Sequence, residues 1–248
     1  MSKPTVGIFG LTGCAGDQLV ILNCEDQLLN LVSLIDVRDF LMASSENDAA
    51  CPLDLALVEG AVLSNKDLER LRAIRKRAKT LVALGTCAVW AGVAAMDRGT
   101  DRRKLLEEVY GETGLNYDSL PAQALHEIVR VDLNITGCPI EKEHFLAAIA
   151  NLLNGDLPVY PQYPVCTECR MLENNCLLIE RGELCCGPIT AAGCKARCPN
   201  LRVPCVGCRG PVSDANPSSL LAMLEEKGFD RQAIATRLRT FAPEGVAQ

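Results

Sequence analysis

The segment TLVALGTC, residues 80–87, is a short apolar run that ends in glycine, threonine and cysteine. A run of this kind predicts a strand, here at residues 80–85, that is covered on both faces of a sheet. Comparable runs occur at residues 5–10, 31–37, 53–59 and 128–135, with helix-period segments between them. Because strands and helices alternate in this way, the sequence predicts an α/β fold with a doubly wound parallel sheet.

Two of the intervening segments carry apolar residues at helical spacing. One stripe is formed by Leu68, Leu71, Ile74 and Ala78, and the other by Phe145, Ala148, Ile149 and Leu152. Each stripe predicts a helix with one buried face.

The composition of the chain changes near residue 155. Residues 155–164 contain three prolines and are interpreted as a linker. Residues 166–212 contain nine of the fourteen cysteines and little periodic apolar pattern, so metal sites would have to supply the missing stability. We therefore expect an α/β domain at residues 1–155. A loop-rich, cysteine-dense domain follows at 156–248 and ends in a helical pattern from 217 to about 241.

The charge and hydropathy of the chain exclude several classes of protein. The 248 residues carry a net charge of −6, whereas a nucleic-acid or anionic-membrane surface needs clustered Lys and Arg. The longest apolar run, residues 81–96, is too short and too interrupted to span a bilayer, and no targeting signal is found at the start. We expect a cytoplasmic protein that has neither nucleic acid nor membrane as a partner.

Fourteen cysteines are unusual for such a protein. The cytosol keeps thiols reduced, so a dense cysteine pattern there indicates metal binding rather than disulfides. Eight of the cysteines form two groups of four, and each group can supply the four thiolates of a [4Fe–4S] cluster. The spacings are Cys166-x2-Cys169-x6-Cys176-x8-Cys185 and Cys194-x3-Cys198-x6-Cys205-x2-Cys208.

Structural zinc is the alternative for these groups, since it also takes four thiolates. The irregular spacing lacks the repeat of a zinc ribbon or finger, and the surrounding glycines and prolines suit loops that wrap a bulky cluster. The grouping is also open, because a ligand can cross over between two clusters. Cys186 is adjacent to Cys185, and we take Cys185 as the ligand because both cannot easily face one cluster.

Three further cysteines follow the carboxyl ends of predicted strands, where ligands bind in an open α/β sheet. They are Cys14, Cys87 and Cys138, and each has a glycine within the two preceding residues. Glycine lets the backbone approach a ligand closely. The three cysteines therefore predict a third cluster site.

A fourth thiolate is missing from this site, and Asp17 stands where a C-x-x-C turn that starts at Cys14 would place it. A carboxylate can ligate iron, although it is a harder donor than a thiolate. We expect Asp17 to be the fourth ligand; the alternatives are that Asp17 is a helix N-cap or that Cys24 is the donor. Cys51 has the apolar neighbours of a buried cysteine, and Glu59 is either a proton relay or a capping acid. No residue is assigned a catalytic role.

The sequence resembles the small subunit of [NiFe]-hydrogenases along essentially its whole length. The resemblance is carried by LTGCAGD (11–17), VEG (58–60), GTCA (85–88), GCP (137–139) and the segment from PVCTECR (164–170) to PCVGCRG (204–210). The last segment is the most specific. It resembles the delta subunit of soluble, cytoplasmic, NAD(P)-linked hydrogenases, also called sulfhydrogenases.

The resemblance implies a flavodoxin-like N-terminal domain with a proximal cluster and a C-terminal domain with a medial and a distal cluster. Three [4Fe–4S] clusters are then assigned to a proximal set, Cys14, Asp17, Cys87 and Cys138; a distal set, Cys166, Cys169, Cys176 and Cys185; and a medial set, Cys194, Cys198, Cys205 and Cys208. Relatives with a three-iron medial cluster lack a counterpart of Cys198, so four irons are expected there.

The resemblance also implies a division of labour. The nickel–iron site that splits H2 lies on a partner large subunit, and a flavin (FAD) subunit exchanges electrons with NAD(P) in a complex that holds further iron–sulfur subunits. This chain would conduct electrons between them, as part of an oxidoreductase that acts on H2. The alternatives are an iron–sulfur subunit of a respiratory-type quinone reductase, which resembles only the N-terminal domain, and a zinc-stabilised interaction protein.

Overall fold

The computed structural model describes residues 3–96 and 99–241, without the side chains of Asp26 and Leu28. The chain divides into two compact units, one that ends at Ile135 and one that begins at Thr136.

The first unit is built on a parallel sheet. Its strands are β1 Thr5–Gly10, β2 Asp36–Asp39, β3 Leu53–Glu59, β4 Ala78–Leu84 and β5 Leu133–Ile135. The strands lie in the order β2-β1-β3-β4-β5, and every neighbouring pair is parallel. This is the strand order of flavodoxin, with the topological switch point between β1 and β3. The predicted α/β fold with a flavodoxin-like, doubly wound sheet is confirmed.

Helices connect the strands. They are α1 Gly16–Leu22, α2 Asp26–Leu34, α3 Asn65–Arg77, α4 Gly85–Trp90 and α5 Arg102–Tyr110, with 3-10 turns at Gly92–Ala95, Gly111–Asn116 and Leu125–Glu127. The Ser64 side chain begins α3 by accepting a hydrogen bond from the Asp67 N–H. Leu71 and Ile74 of α3 are buried against the sheet core, as their spacing predicts, together with Val58 of β3.

The prediction of a strand at residues 31–37 is wrong for residues 31–34, which are helical. Helix α2 continues to Leu34 in that region, before β2 begins. Leu31 and Ile35 are buried, whereas Val32 and Leu34 are 41% and 58% exposed. The apolar residues that face the core are therefore four positions apart, which is a helical period.

The strand predicted at residues 128–135 is shorter than expected and forms only over Leu133–Ile135. Just before it, the N–H of Leu81 in β4 donates to the carboxylate of Asp132 at 2.9 Å. A side chain takes the place of a strand carbonyl at that point, so the sheet pairing begins one residue later.

The second unit combines helices with a long irregular segment. The helices are α6 Lys142–Leu153, α7 Val165–Met171, α8 Leu177–Glu180, α9 Arg197–Asn200, α10 Pro217–Glu226 and α11 Arg231–Arg239. Apolar residues of α8, α10 and α11 pack with the irregular segment into one hydrophobic core. This core includes Leu178, Ile189, Leu224 and Ile234. No helix among the described residues has both the length and the apolar character that crossing a bilayer requires.

The division after Ile135 lies earlier than the boundary that the sequence predicts near residue 155. Helix α6 falls in the second unit, where its N-cap residue and one of its side chains bind the cysteine-rich segment. Glu141 pairs with Arg197 at 2.5 Å, and Nδ1 of His144 accepts a hydrogen bond from Arg209 at 3.1 Å. Residues 242–248 of the predicted C-terminal domain lie outside the described residues.

Candidate metal centres

A buried carboxylate fixes the start of α1 at the switch point of the sheet. Glu59, the last residue of β3, is 3% exposed. Its carboxylate accepts hydrogen bonds from the backbone N–H groups of Asp17 at 3.3 Å and Gln18 at 3.1 Å, and from Gln18 Nε2 at 3.0 Å. These N–H groups have no partner inside the helix. Of the two roles considered for Glu59, the structure therefore shows the capping one.

Asp17 lies in the first turn of α1 and is buried. The N-cap position belongs to Ala15, so the alternative that Asp17 is the N-cap is wrong. The Asp17 carboxylate occupies the space that a side chain at Gly85 would need. Gly85 has a φ of +78° and follows β4 directly. The backbone approaches Asp17 this closely only because the residue is glycine.

The structure brings Cys14 and Cys87 to the same place as Asp17. Burial raises the pKa of the Cys87 thiol, and the negative charges of Asp17 and of a Cys14 thiolate raise it further. Such a set of mutually repelling anionic donors suits iron, whose positive charge would offset the repulsion. Cys24 has a different setting, since it is buried and its thiol donates to the carbonyl of Val20 at 3.4 Å.

The other predicted proximal ligand, Cys138, belongs to the second unit. It is exposed and precedes Pro139 through a cis peptide bond. Within that unit, Cys138 is near enough to Cys208 for its thiolate to raise the pKa of the Cys208 thiol.

The four cysteines of the first C-terminal group lie near one another. Burial raises the pKa of the Cys166 thiol to about 12, and the thiolates of Cys185, Cys169 and Cys176 add to the effect. A Cβ at Gly187 would lie 3.3 Å from Cys166 Sγ and 3.5 Å from Cys185 Sγ, so both sulfur atoms face this glycine. Cys166, Cys169 and Cys176 line a cavity of about 690 Å³. Four thiols gathered at one place, three of them beside this cavity, fit a [4Fe–4S] cluster.

Cys186 points elsewhere. It is 1% exposed and lies in the apolar core with Leu220, Leu224 and Ile234. Its thiolate is not among the groups that raise the pKa of Cys166. Between the two adjacent cysteines, the geometry therefore favours Cys185 as the one that shares the site of Cys166.

The second C-terminal group gathers in part. Burial raises the pKa of the Cys208 thiol to about 11, and the thiolates of Cys194 and Cys198 raise it further. Cys205 lies beside the first group instead, because its backbone N–H donates to Cys185 Sγ at 3.3 Å. This position is compatible with Cys205 as a ligand of either group. In residues 3–96 and 99–241, no cluster of three His, Cys, Asp or Glu side chains has the arrangement to hold a single metal ion.

Three polar residues around the second group were not singled out from the sequence. Glu168 accepts hydrogen bonds from the backbone N–H groups of Gly193 at 2.9 Å and Ala196 at 3.1 Å, on either side of Cys194. Arg209 is 3% exposed and donates to His144. The available signal was weak: Glu168 stands inside one C-x-x-C pair and Arg209 directly after the other.

Comparison with known proteins supports an assignment to a family. Residues 14–152 match the model of the NADH ubiquinone oxidoreductase 20 Kd subunit family. The delta subunit of sulfhydrogenase 2 from Pyrococcus furiosus is 38% identical over 96% of this chain and 98% of its own length. A subunit of the F420-non-reducing hydrogenase vhu from Methanocaldococcus jannaschii is 28% identical over 91% of this chain and 90% of its own.

A solved structure, that of an NAD+-reducing [NiFe]-hydrogenase in the H2-reduced state, includes a similar chain. It is 28% identical with a TM-score of 0.57, and the match covers 64% of this chain and 96% of that one.

The chain therefore belongs to the family of the NADH ubiquinone oxidoreductase 20 Kd subunit. Within this family its place is among the small subunits of hydrogenases, which are oxidoreductases that act on H2. The prediction of an electron-transfer subunit of a hydrogenase is confirmed. Neither the quinone-reductase subunit nor the zinc-stabilised interaction protein is favoured.

Proposed function

We propose that this chain is the electron-conducting small subunit of a soluble, cytoplasmic [NiFe]-hydrogenase and that it holds three [4Fe–4S] clusters. The observation that carries the proposal is the gathering of the thiols of Cys166, Cys169, Cys176 and Cys185, of which the first three line one cavity. The similarity to a sulfhydrogenase delta subunit over 96% of the chain supports it.

The proposed ligands follow the sequence prediction. The proximal cluster is held by Cys14, Asp17, Cys87 and Cys138; the distal cluster by Cys166, Cys169, Cys176 and Cys185; and the medial cluster by Cys194, Cys198, Cys205 and Cys208. The charges of Cys14 and Asp17 both raise the pKa of the Cys87 thiol, which supports the three proximal ligands that lie in the first unit. The effects of Cys194 and Cys198 on Cys208 support the medial set.

The residues of this chain would bind the clusters and tune their reduction potentials, and none of them is proposed to split H2. A bound [4Fe–4S] cluster supplies the capacity to take up and release one electron. The thiolates hold the iron, and hydrogen bonds to sulfur help set the reduction potential. The N–H of Cys205 makes such a bond to Cys185 Sγ. Glu59 binds the backbone N–H of Asp17, and Gly85 leaves room for the Asp17 carboxylate at the proximal site.

The proposed partners are a large subunit with the nickel–iron site, a flavin subunit that holds FAD and reduces NAD(P), and further iron–sulfur subunits. The NAD+-reducing hydrogenase structure supports the reductase partner, although its matched chain corresponds to 64% of this one. No nucleic acid and no membrane are proposed as partners, in line with the net charge of −6.

EPR spectra of the reduced, anaerobically purified complex test the two C-terminal ligand sets. Cys166→Ala should remove one cluster signal, and Cys194→Ala should remove a different one. Cys205→Ala decides the crossing-over: loss of the Cys194-dependent signal supports the proposed set, and loss of the Cys166-dependent signal reassigns Cys205. Spectra unchanged by all three substitutions would contradict the proposal.

A further inference from the structure

Arg209 is a buried cation with an unusual set of partners. Its side chain is held on all sides within the second unit, and the residue is 3% exposed. Nε donates to the carbonyls of Ala191 at 3.2 Å and Ala192 at 2.9 Å, Nη1 to the carbonyl of Thr136 at 3.2 Å, and Nη2 to Nδ1 of His144 at 3.1 Å. Arginine can only donate, so His144 accepts at Nδ1 and is the neutral tautomer with its proton on Nε2.

None of these partners carries a negative charge. Among the described residues, no carboxylate forms an ion pair with Arg209, whereas the exposed Arg197 pairs with Glu141 at 2.5 Å. Glu168, an acid that binds the same turn, has its two oxygens engaged by the N–H groups of Gly193 and Ala196. An unpaired buried charge is costly, so a structure that retains one generally has a counter-charge for it.

The groups that face the guanidinium identify the missing counter-charge. Arg209 follows Cys208 directly in the chain. A Cβ at Gly193 would lie 2.9 Å from Nη2 of Arg209 and 2.8 Å from Nε2 of His144. Because Gly193 has no side chain, both groups can pack beside the turn that carries Cys194.

We propose that Arg209 is the fixed counter-charge of the cluster held by the Cys194–Cys208 group and raises the reduction potential of that cluster. The inference rests on the proposed function. Uptake of one electron makes a thiolate-bound cluster more negative, and a buried cation with no other negative partner stabilises this reduced form selectively. His144 and the three carbonyls hold the guanidinium in position, which a mobile surface arginine would not achieve.

The test is an EPR-monitored redox titration of the purified complex, with dithionite as the reductant. The substitution Arg209→Gln removes the charge and keeps hydrogen-bond donors, and Arg209→Lys keeps the charge. Arg197→Gln is the matched control, because Arg197 precedes Cys198 directly but is 60% exposed and already paired with Glu141.

We expect Arg209→Gln to lower the reduced-to-oxidised ratio of one cluster at a fixed potential about tenfold, which is 59 mV for a one-electron couple. Arg209→Lys and Arg197→Gln should change that ratio less than about threefold. Equal effects of Arg209→Gln and Arg197→Gln, or no effect of either, would overturn the inference. If Arg209→Gln assembles no cluster, Arg209→Lys decides: a wild-type potential supports the counter-charge, and a second failure to assemble assigns Arg209 to packing alone. A wild-type complex without cluster signals would instead contradict the proposed function.

Discussion

Glu168 Oε1 accepts a hydrogen bond from the backbone N–H of Gly193 at 2.9 Å, and its other oxygen accepts one from Ala196 at 3.1 Å. Glu168 stands between Cys166 and Cys169, and the two N–H groups flank Cys194. One carboxylate therefore ties the first cysteine group to the turn that carries the second. In that turn Lys195 and Ala196 have positive φ angles, a conformation that these residues adopt only when the surroundings hold them in it.

Replacement of Glu168 by alanine should loosen this turn. Each hydrogen bond to a charged group contributes about 1.5 to 3 kcal/mol, so cluster bleaching should begin at a clearly lower urea concentration in the variant complex. Glu143→Ala is the control, because the ion pair of Glu143 with Lys195 at 4.0 Å is exposed and its loss should cost less than about 1 kcal/mol. Equal urea profiles for the two variants would show that Glu168 does not position Cys194.

Asp17 gives the sharpest ligand prediction. Asp17→Ala should remove one cluster signal, while Asp17→Cys should restore a cluster at the same site with a changed potential, since thiolate is the softer donor. Cys24→Ala is the control and should leave all signals in place, because its thiol is committed to the Val20 carbonyl. EPR of the reduced complex reads all three variants. A signal that survives Asp17→Ala and disappears in Cys24→Ala would transfer the role to Cys24.

Gly85 should tolerate no side chain. Gly85→Ala puts a methyl group into the Asp17 carboxylate and also requires a φ of +78°. The matched control is Gly111→Ala, with a φ of +65° and open space around its Cα. Both variants carry a conformational cost of about 1 to 2 kcal/mol, and Gly85→Ala should add about 1 to 3 kcal/mol of overpacking. Urea denaturation measures the difference, and only Gly85→Ala should disturb the cluster signal that depends on Asp17.

Cys185 and Cys186 should respond oppositely to substitution by alanine. Cys185 shares the Cys166 site, so Cys185→Ala should remove that cluster signal. Cys186 packs among core side chains, so Cys186→Ala should keep every signal and cost about 1 kcal/mol of stability. Iron content and EPR distinguish the two, and the reverse result would exchange their roles.

The parts of the fold that the sequence predicts best are those decided by local pattern. Strand β3 matches its predicted bounds, because its central run of apolar residues is buried on both faces of the sheet. The run at 31–37 misleads because a short apolar segment does not reveal its period; only the burial of Leu31 and Ile35 does.

In the candidate sites too, local sequence pattern predicts some features, whereas contacts between residues distant in sequence are not predicted. Cysteine spacing alone predicts one ligand set of Cys166, Cys169, Cys176 and Cys185, and in the structure the last three act on the pKa of the first. Arg209 and His144 are 65 positions apart, and nothing local marks either as a partner of the other. The position of Cys205 beside Cys185 depends on how two irregular loops fold on each other, which spacing does not encode.

The most direct test of the central claim is the iron and acid-labile sulfide content of the anaerobically purified complex, after subtraction of the clusters on partner subunits. Three [4Fe–4S] clusters predict about twelve irons and as many sulfides for this chain. About eight of each would keep the two C-terminal clusters and remove the one assigned to Cys14, Asp17, Cys87 and Cys138. Zinc without sulfide would contradict the electron-transfer function altogether.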